Sequence, residues 1–260
     1  MKGSFLFLGT SGSTGIPVIG CKCPICTSSD PRNQRLRPAG WVRIGGTSLL
    51  IDAGPDLRGQ ALKYGIDRVD GLLLTHTHFD HIAGIDELRI FYVRHKKPLP
   101  CLLSQETYDE LKKRSYYLFQ PKNSDSALSA QFEFHILPKE GGTVSFAGLE
   151  IGYCSFFQGT MKVTGFRIGD FAYISDIRKF DASIFSHLKG IRQLVLSALM
   201  PDPTPFHLSF QEAIEFAKKT GAQKTWLTHL GHFLDHEAGN ALLPPDVRLG
   251  YDGLELEIRI

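Results

Sequence analysis

Thr75-His76-Thr77-His78-Phe79-Asp80-His81-Ile82-Ala83-Gly84 is the stretch whose reading decides the fold. Four groups able to bind a metal fall within six positions, directly after Gly71-Leu72-Leu73-Leu74. A short apolar run opened by glycine and closed by polar residues reads as a buried strand. The metal-binding groups then sit on the loop leaving that strand, where a rigid scaffold aims side chains into a cleft. His76 and His78 are two apart and point the same way in an extended segment. Asp80 and His81 follow after the chain has turned and face a second point. One loop can therefore serve two metal ions. A merely solvated histidine-rich loop would not need the strand that precedes it.

Working outward, the N-terminal side holds Cys21-Lys22-Cys23-Pro24-Ile25-Cys26. Three thiols at this spacing suit a structural zinc, but zinc takes four ligands and only three are local. The alternative is a set of small inert cysteines, so the fourth ligand has to come from elsewhere. Five cysteines form an odd count, and the apolar stretch near Met1 is too short for a signal peptide or membrane span. Reduced thiols and a cytoplasmic protein that does not enter the membrane are expected. At 260 residues, with 42% hydrophobic and 22% charged content, the chain can build one large core. A formal charge of +2 gives no overall basic field, which argues against nucleic acid as a partner. Bound cations would still make one cleft positive and favour a small anionic substrate.

Between these segments, residues 4–8 read as a first strand. Residues 41–44, the Gly45-Gly46 turn and residues 47–51 read as a hairpin ending at Asp52. Asp56 is placed to cap a helix that reaches about Tyr64 and stops at Gly65. Residues 120–130 are polar and read as an exposed loop or lid.

The second half repeats the strand-then-ligand pattern. A strand over 149–157 precedes Gln158, and a hairpin about Gly169-Asp170 ends at Asp176. A strand over 191–197 leads to Pro201 through Phe206 and then His207. Ser209 and Glu212 spell a capping box for a helix through Lys219. Residues 224–228 deliver His229, with His232 and His236 close behind, and residues 254–260 alternate as a strand expected to close the second sheet. No linker or charge block divides the chain, so residues 1–260 are expected to form one domain, with a cysteine-rich loop at about 20–27.

The His-x-His-x-Asp-His loop resembles the signature of the metallo-β-lactamase superfamily of metal-dependent hydrolases. With Gly9 to Cys26, the Asp52 turn, Gly165 to Asp176 and Thr228-His229-Leu230-Gly231-His232, nearly the whole chain is similar to one branch of it. That branch includes the phosphoribosyl cyclic phosphate phosphodiesterase. The resemblance implies an α/β fold, the four-layer αββα sandwich of two mixed sheets flanked by helices, with metals at the edge between the sheets. It implies two divalent ions, zinc or manganese, bridged by Asp176. One takes Asp80, His81 and His229; the other takes His76, His78 and a third histidine, in whose place this chain has Gln158. It also implies a structural zinc completed by His232, which answers the search for a fourth ligand to Cys21, Cys23 and Cys26. His207 matches the catalytic histidine, which assists the leaving oxygen while hydroxide held by the metals attacks phosphorus; Asp80 joins it at the reacting centre. Asp52 would orient the metal loop. His236 itself reads either as a residue that orients His229 or Asp80 or as one that is simply exposed.

The Gln158 departure matters because a neutral amide oxygen is a weaker and harder donor than imidazole. The first site would then shift toward manganese or stay empty until substrate phosphate completes it. Hydrolysis of a small phosphodiester, cyclic ones included, is the leading expectation. Alternatives are a pyrroloquinoline quinone biosynthesis B-like protein, a tRNA-processing-type nuclease, and a metal- or ligand-binding protein with reduced catalysis. Family resemblance alone implies a homodimer.

Overall fold

The structure, a computed structural model, describes residues 1–119 and 129–260; most of the expected polar loop at 120–130 lies outside the described residues. The first half of the chain forms β1 (Lys2–Gly9), β2 (Ala39–Ile44), β3 (Thr47–Ile51), α1 (Leu57–Tyr64) and β4 (Gly71–Leu73). It continues through α2 (Phe79–Ile82), α3 (Arg89–His95), β5 (Leu99–Leu103), α4 (Gln105–Arg114) and β6 (Phe132–Ile136). The second half forms β7 (Gly141–Phe146), β8 (Leu149–Gln158), β9 (Met161–Ile168), β10 (Phe171–Ile174), α5 (Ile184–His187) and β11 (Gln193–Ser197). It ends with α6 (Phe210–Thr220), β12 (Lys224–Thr228), α7 (His236–Ala241), β13 (Val247–Leu249) and β14 (Glu255–Arg259).

These strands pair into two mixed sheets, ordered β14-β1-β2-β3-β4-β5-β6 and β13-β12-β11-β10-β9-β8-β7. Each has a parallel half, β3 to β6 in one and β10 to β13 in the other. The central strands are apolar on both faces, as strands covered on both sides must be. Along β3, Leu49 and Ile51 join Phe5, Phe7, Ile151, Phe166, Tyr173 and Val195 in the layer between the sheets. Leu50 turns the other way and packs with Leu57, Leu88, Phe91 and Leu111 from the helices. On β11, Val195 faces inward while Leu194 and Leu196 meet Phe210, Ala213 and Phe216 of α6. The result is the four-layer αββα sandwich.

Two expectations are corrected. The C-terminal strand β14 pairs with β1 at the edge of the first sheet rather than closing the second. The chain returns because β1 has a free edge opposite β2, and alternation in β14 buries Leu256 and Ile258 between the sheets. Asp56 stands at the N-cap position of α1 but makes no cap bond. Its carboxylate is taken instead by the Arg37 backbone N–H and guanidinium, both at 2.8 Å. The capping box on α6 does form: Ser209 Oγ accepts from the Glu212 N–H, and Glu212 accepts from the Ser209 N–H.

Candidate metal centre

Parallel strands deliver their loops to one edge, and this fixes where the chemistry gathers. Asp52 follows β3, His76 to His81 follow β4, Asp176 follows β10 and His229 follows β12. Asp52, Asp176 and His229 all adopt left-handed backbone conformations, with φ of 63°, 59° and 59°. Such conformations are costly for residues with a Cβ and are kept where surroundings over-determine them. The sharp turns swing these side chains back across the strand ends toward one another.

Asp52 is the clasp of the metal loop. Its carboxylate accepts from the Thr75 N–H at 2.9 Å, from the Thr75 hydroxyl, and from His81 Nδ1 at 2.7 Å. The loop also closes on the Asp52 turn through its backbone. Ala53 N donates to His81 O and Gly84 N to Ala53 O. A Cβ on Gly84 would lie 2.0 Å from the Gly54 carbonyl oxygen, so that close approach requires glycine.

Beyond this clasp, His81 Nε2 lies 3.1 Å from Asp176 Oδ2 and 3.5 Å from Asp80 Oδ2. His229 Nε2 lies 3.3 Å from Asp80 Oδ2 and 3.2 Å from Asp176 Oδ1. Two ligands bound at about 2.0–2.2 Å to one tetrahedral ion stand roughly 3.2–3.6 Å apart. His81 Nε2 is also buried without a hydrogen-bond partner. Asp80, His81 and His229 thus form one candidate ligand set, and Asp176 reaches both of its imidazoles, one through each carboxylate oxygen. Burial disfavours ionisation of Asp80 and Asp176, but the His81 and His229 rings outweigh it and hold both carboxyls well below the usual range.

The neighbouring region is less complete. His76 Nε2 lies 3.0 Å from His78 Nδ1, and His76 Nδ1 meets Thr75 Oγ1 at 2.9 Å. Gln158, 7% exposed at the end of β8, donates from Nε2 to Asp176 Oδ1 at 3.0 Å, and the same nitrogen lies 3.0 Å from His207 Nε2. Its Oε1 is buried without a partner. His76 groups with His81 and Asp176, and His78 meets His76, but an N–H donor rather than a third imidazole faces the shared carboxylate. The donor set does not fit a second ion as it fits the first. His207 stacks on His229 with ring centroids 4.7 Å apart. Burial and then the His229 charge push its pKa down to about 4, so the ring is neutral at pH 7.

The cysteine cluster closes as a four-ligand set. His232 Nδ1 lies 3.5 Å from Cys21 Sγ, 3.4 Å from Cys23 Sγ and 3.3 Å from Cys26 Sγ. Tetrahedral zinc with ordinary bond lengths places sulfur and nitrogen ligands about 3.5 Å apart. The set is tied to the other site: Leu230, between His229 and His232, exchanges backbone bonds with Thr10 and Gly12 of the loop leading to the cysteines. Cys101 and Cys154 are buried elsewhere.

His236 is corrected. It touches neither His229 nor Asp80; its Nδ1 meets the Arg35 guanidinium at 2.9 Å in a buried pocket. The reason is α7, which starts at His236 and carries it to the far side of the cysteine loop, where Asn33 accepts from its backbone N–H. Ile90 lines a separate groove with Leu57, Leu62 and Val93. Thr75 is the functional residue that sequence reasoning missed. Its place between the strand and His76 was the available signal.

Two seven-stranded mixed sheets with carboxylates and imidazoles gathered at one edge define a metallo-β-lactamase fold. A family model described as the beta-lactamase superfamily domain matches residues 47–230, and the chain belongs to that superfamily of hydrolases. The particular relatives are informative. A solved structure described as a new diphosphatase from the PhnP family shares 34% identity with a TM-score of 0.90, covering 99% of this chain and 98% of that one. An octanoyltransferase of Porphyromonas gingivalis is 33% identical over 253 residues, 96% of this chain but 50% of the relative. Coenzyme PQQ synthesis protein B of Methylobacterium radiotolerans is 34% identical over 98 residues, 32% of this chain and 33% of the relative. The chain thus spans half or less of the length of these two curated relatives. Among the described residues, no helix is long and apolar enough to cross a membrane.

Proposed function

We propose that the chain hydrolyses a phosphorus–oxygen bond in a small anionic phosphodiester or diphosphate, cyclic phosphodiesters included. The observation that carries this reading is the grouping of Asp80, His81 and His229, with Asp176 against both imidazoles and the His207 ring stacked beside them. The similarity to a PhnP-family diphosphatase over almost the full chain supports it. The oxidative alternative rests on a match to about a third of the chain.

A divalent ion held by Asp80, His81, Asp176 and His229 would supply Lewis acidity toward phosphoryl oxygen and a lowered pKa for water. The chain's own groups do the remainder. Asp52 accepts from His81 Nδ1 and so leaves Nε2 unprotonated toward the ligand cluster. Asp80 and Asp176 stay ionised at all ordinary pH and confer the negative charge that retains a cation. Neutral His207 keeps one N–H to donate as a hydrogen bond to the leaving oxygen when its bond to phosphorus breaks. Gln158 fixes the His207 ring through its amide N–H. The cysteine loop, with a structural zinc on Cys21, Cys23, Cys26 and His232, holds the His229 segment in place.

A panel of cyclic and linear phosphodiesters and nucleoside diphosphates, offered to metal-stripped and reloaded protein, tests the reading. Turnover that disappears on stripping and returns on reloading supports it. A reloaded protein that hydrolyses none of them overturns it.

A further inference from the structure

Gln158 sits where it decides how many ions the centre can hold. The first position would draw on His76 Nε2, His78 Nδ1, the shared oxygen Asp176 Oδ1 and whatever Gln158 offers. Two imidazoles and a shared carboxylate leave that set one good ligand short of the usual four-coordinate site. The structure shows that the Gln158 amide points its Nε2, not its oxygen, at Asp176 Oδ1, at 3.0 Å. The same nitrogen lies 3.0 Å from His207 Nε2. Asp176 Oδ1 is an acceptor, so the NH2 orientation is the one that satisfies it, and turning the amide over would set an oxygen against a carboxylate. The N–H takes up one acceptor site on the Asp176 oxygen that a second ion would share. Burial at 7% exposure leaves the side chain little freedom to withdraw.

The other position is the reverse case. His81 Nε2 is buried with no hydrogen-bond partner, facing Asp80 and Asp176 oxygens at distances suited to ligands of one ion. One half of the centre leaves a ring nitrogen facing two carboxylates, and the other turns the Gln158 N–H onto the bridging carboxylate and its Oε1 away from it, unpartnered.

We propose that this chain works with a single resident active-site metal, held by Asp80, His81, Asp176 and His229, and that the Gln158 amide takes the place of a second. The N–H of Gln158 neutralises part of the Asp176 charge and fixes the His207 ring, two tasks that an ion would otherwise share. The proposal rests on the hydrolase reading only for its meaning in catalysis, since the metal count does not depend on turnover.

The test is metal content by elemental mass spectrometry on full-length protein prepared without chelators, in wild type and Gln158→His. Manganese(II) added alone to stripped protein is then followed by electron paramagnetic resonance. Wild type should retain about two metals per chain, one of them the zinc of the cysteine loop, and give the spectrum of an isolated manganese ion in the centre. Gln158→His should gain about one metal per chain and show the spin-coupled signal of a pair. About three metals in wild type, or a coupled pair in wild type, would overturn the proposal, and these two readings stand even if the variant fails to fold. Two metals without hydrolysis of any phosphoester would sink the function and leave the metal count standing. Three metals with hydrolysis would do the opposite.

Discussion

His81 Nδ1 lies 2.7 Å from Asp52 Oδ2, and both side chains are fully buried. This contact joins the end of β3 to the loop after β4 and decides which His81 nitrogen carries the proton. A histidine that gives its Nδ1–H to a carboxylate presents Nε2 as a lone pair. Burial raises the Asp52 pKa, and the hydrogen bonds from His81 and Thr75 pull against that rise. The pair is stable only as a unit, because either partner alone would be a polar group stranded in the protein interior.

Asp52→Asn keeps the shape but replaces one acceptor oxygen with an NH2 that faces donors. The active-site metal should bind about 10–100-fold more weakly, while the cysteine-loop zinc is retained. Competition against a chelator of known affinity measures both. Unchanged affinity in the centre would mean that Asp52 merely shapes the turn.

His207→Asn removes the neutral ring that stacks on His229 and lies 3.7 Å from Asp176 Oδ1, and leaves Asp80, His81 and Asp176 in the chain. Hydrolysis should fall by about 10²–10⁴-fold, with metal content per chain unchanged. Loss of metal in this variant would instead make His207 a ligand.

His236 gives a pH signature away from the centre. Burial, and then the adjacent Arg35 guanidinium, push its pKa from 6.5 down to about 4. The unfolded chain therefore takes up a proton between those values that the folded chain refuses. Its contribution is complete above about pH 6.5 and is lost as pH falls toward 4, by up to about 3 kcal/mol. Urea unfolding of wild type and His236→Asn at pH 7 and pH 4.5 should show a shallower pH dependence in the variant. Equal slopes would exclude the ring as the source.

Much of this architecture was legible in the sequence because it follows from short-range rules. The run from Gly71 to Leu74 marks a buried strand, and Ser209 with Glu212 marks the start of a helix. The Cys21–Cys26 cluster marks a metal site one ligand short, and it is the family resemblance, not spacing, that points to His232. The left-handed turns at Asp52, Asp176 and His229 were not legible, since no glycine or asparagine flags them and tertiary contacts impose them. The pairing of β14 with β1 was hidden for a similar reason. Alternation shows that residues 254–260 form a strand but not which edge is free to receive it. His236 was misjudged from its closeness in sequence to His229 and His232. The start of α7 turns it toward Arg35 instead. Gln158 was visible as a departure from pattern, yet the direction of its amide depends on Asp176 and His207, which lie 18 and 49 positions away.

The most direct measurement is ³¹P NMR of metal-replete protein turning over a diphosphate or cyclic phosphodiester in ¹⁸O-enriched water. The account predicts product phosphoryl groups that carry the label, with Asp176→Asn protein producing none above background. Substrate left intact by fully metallated protein, or label found only on the alcohol fragment, would contradict it.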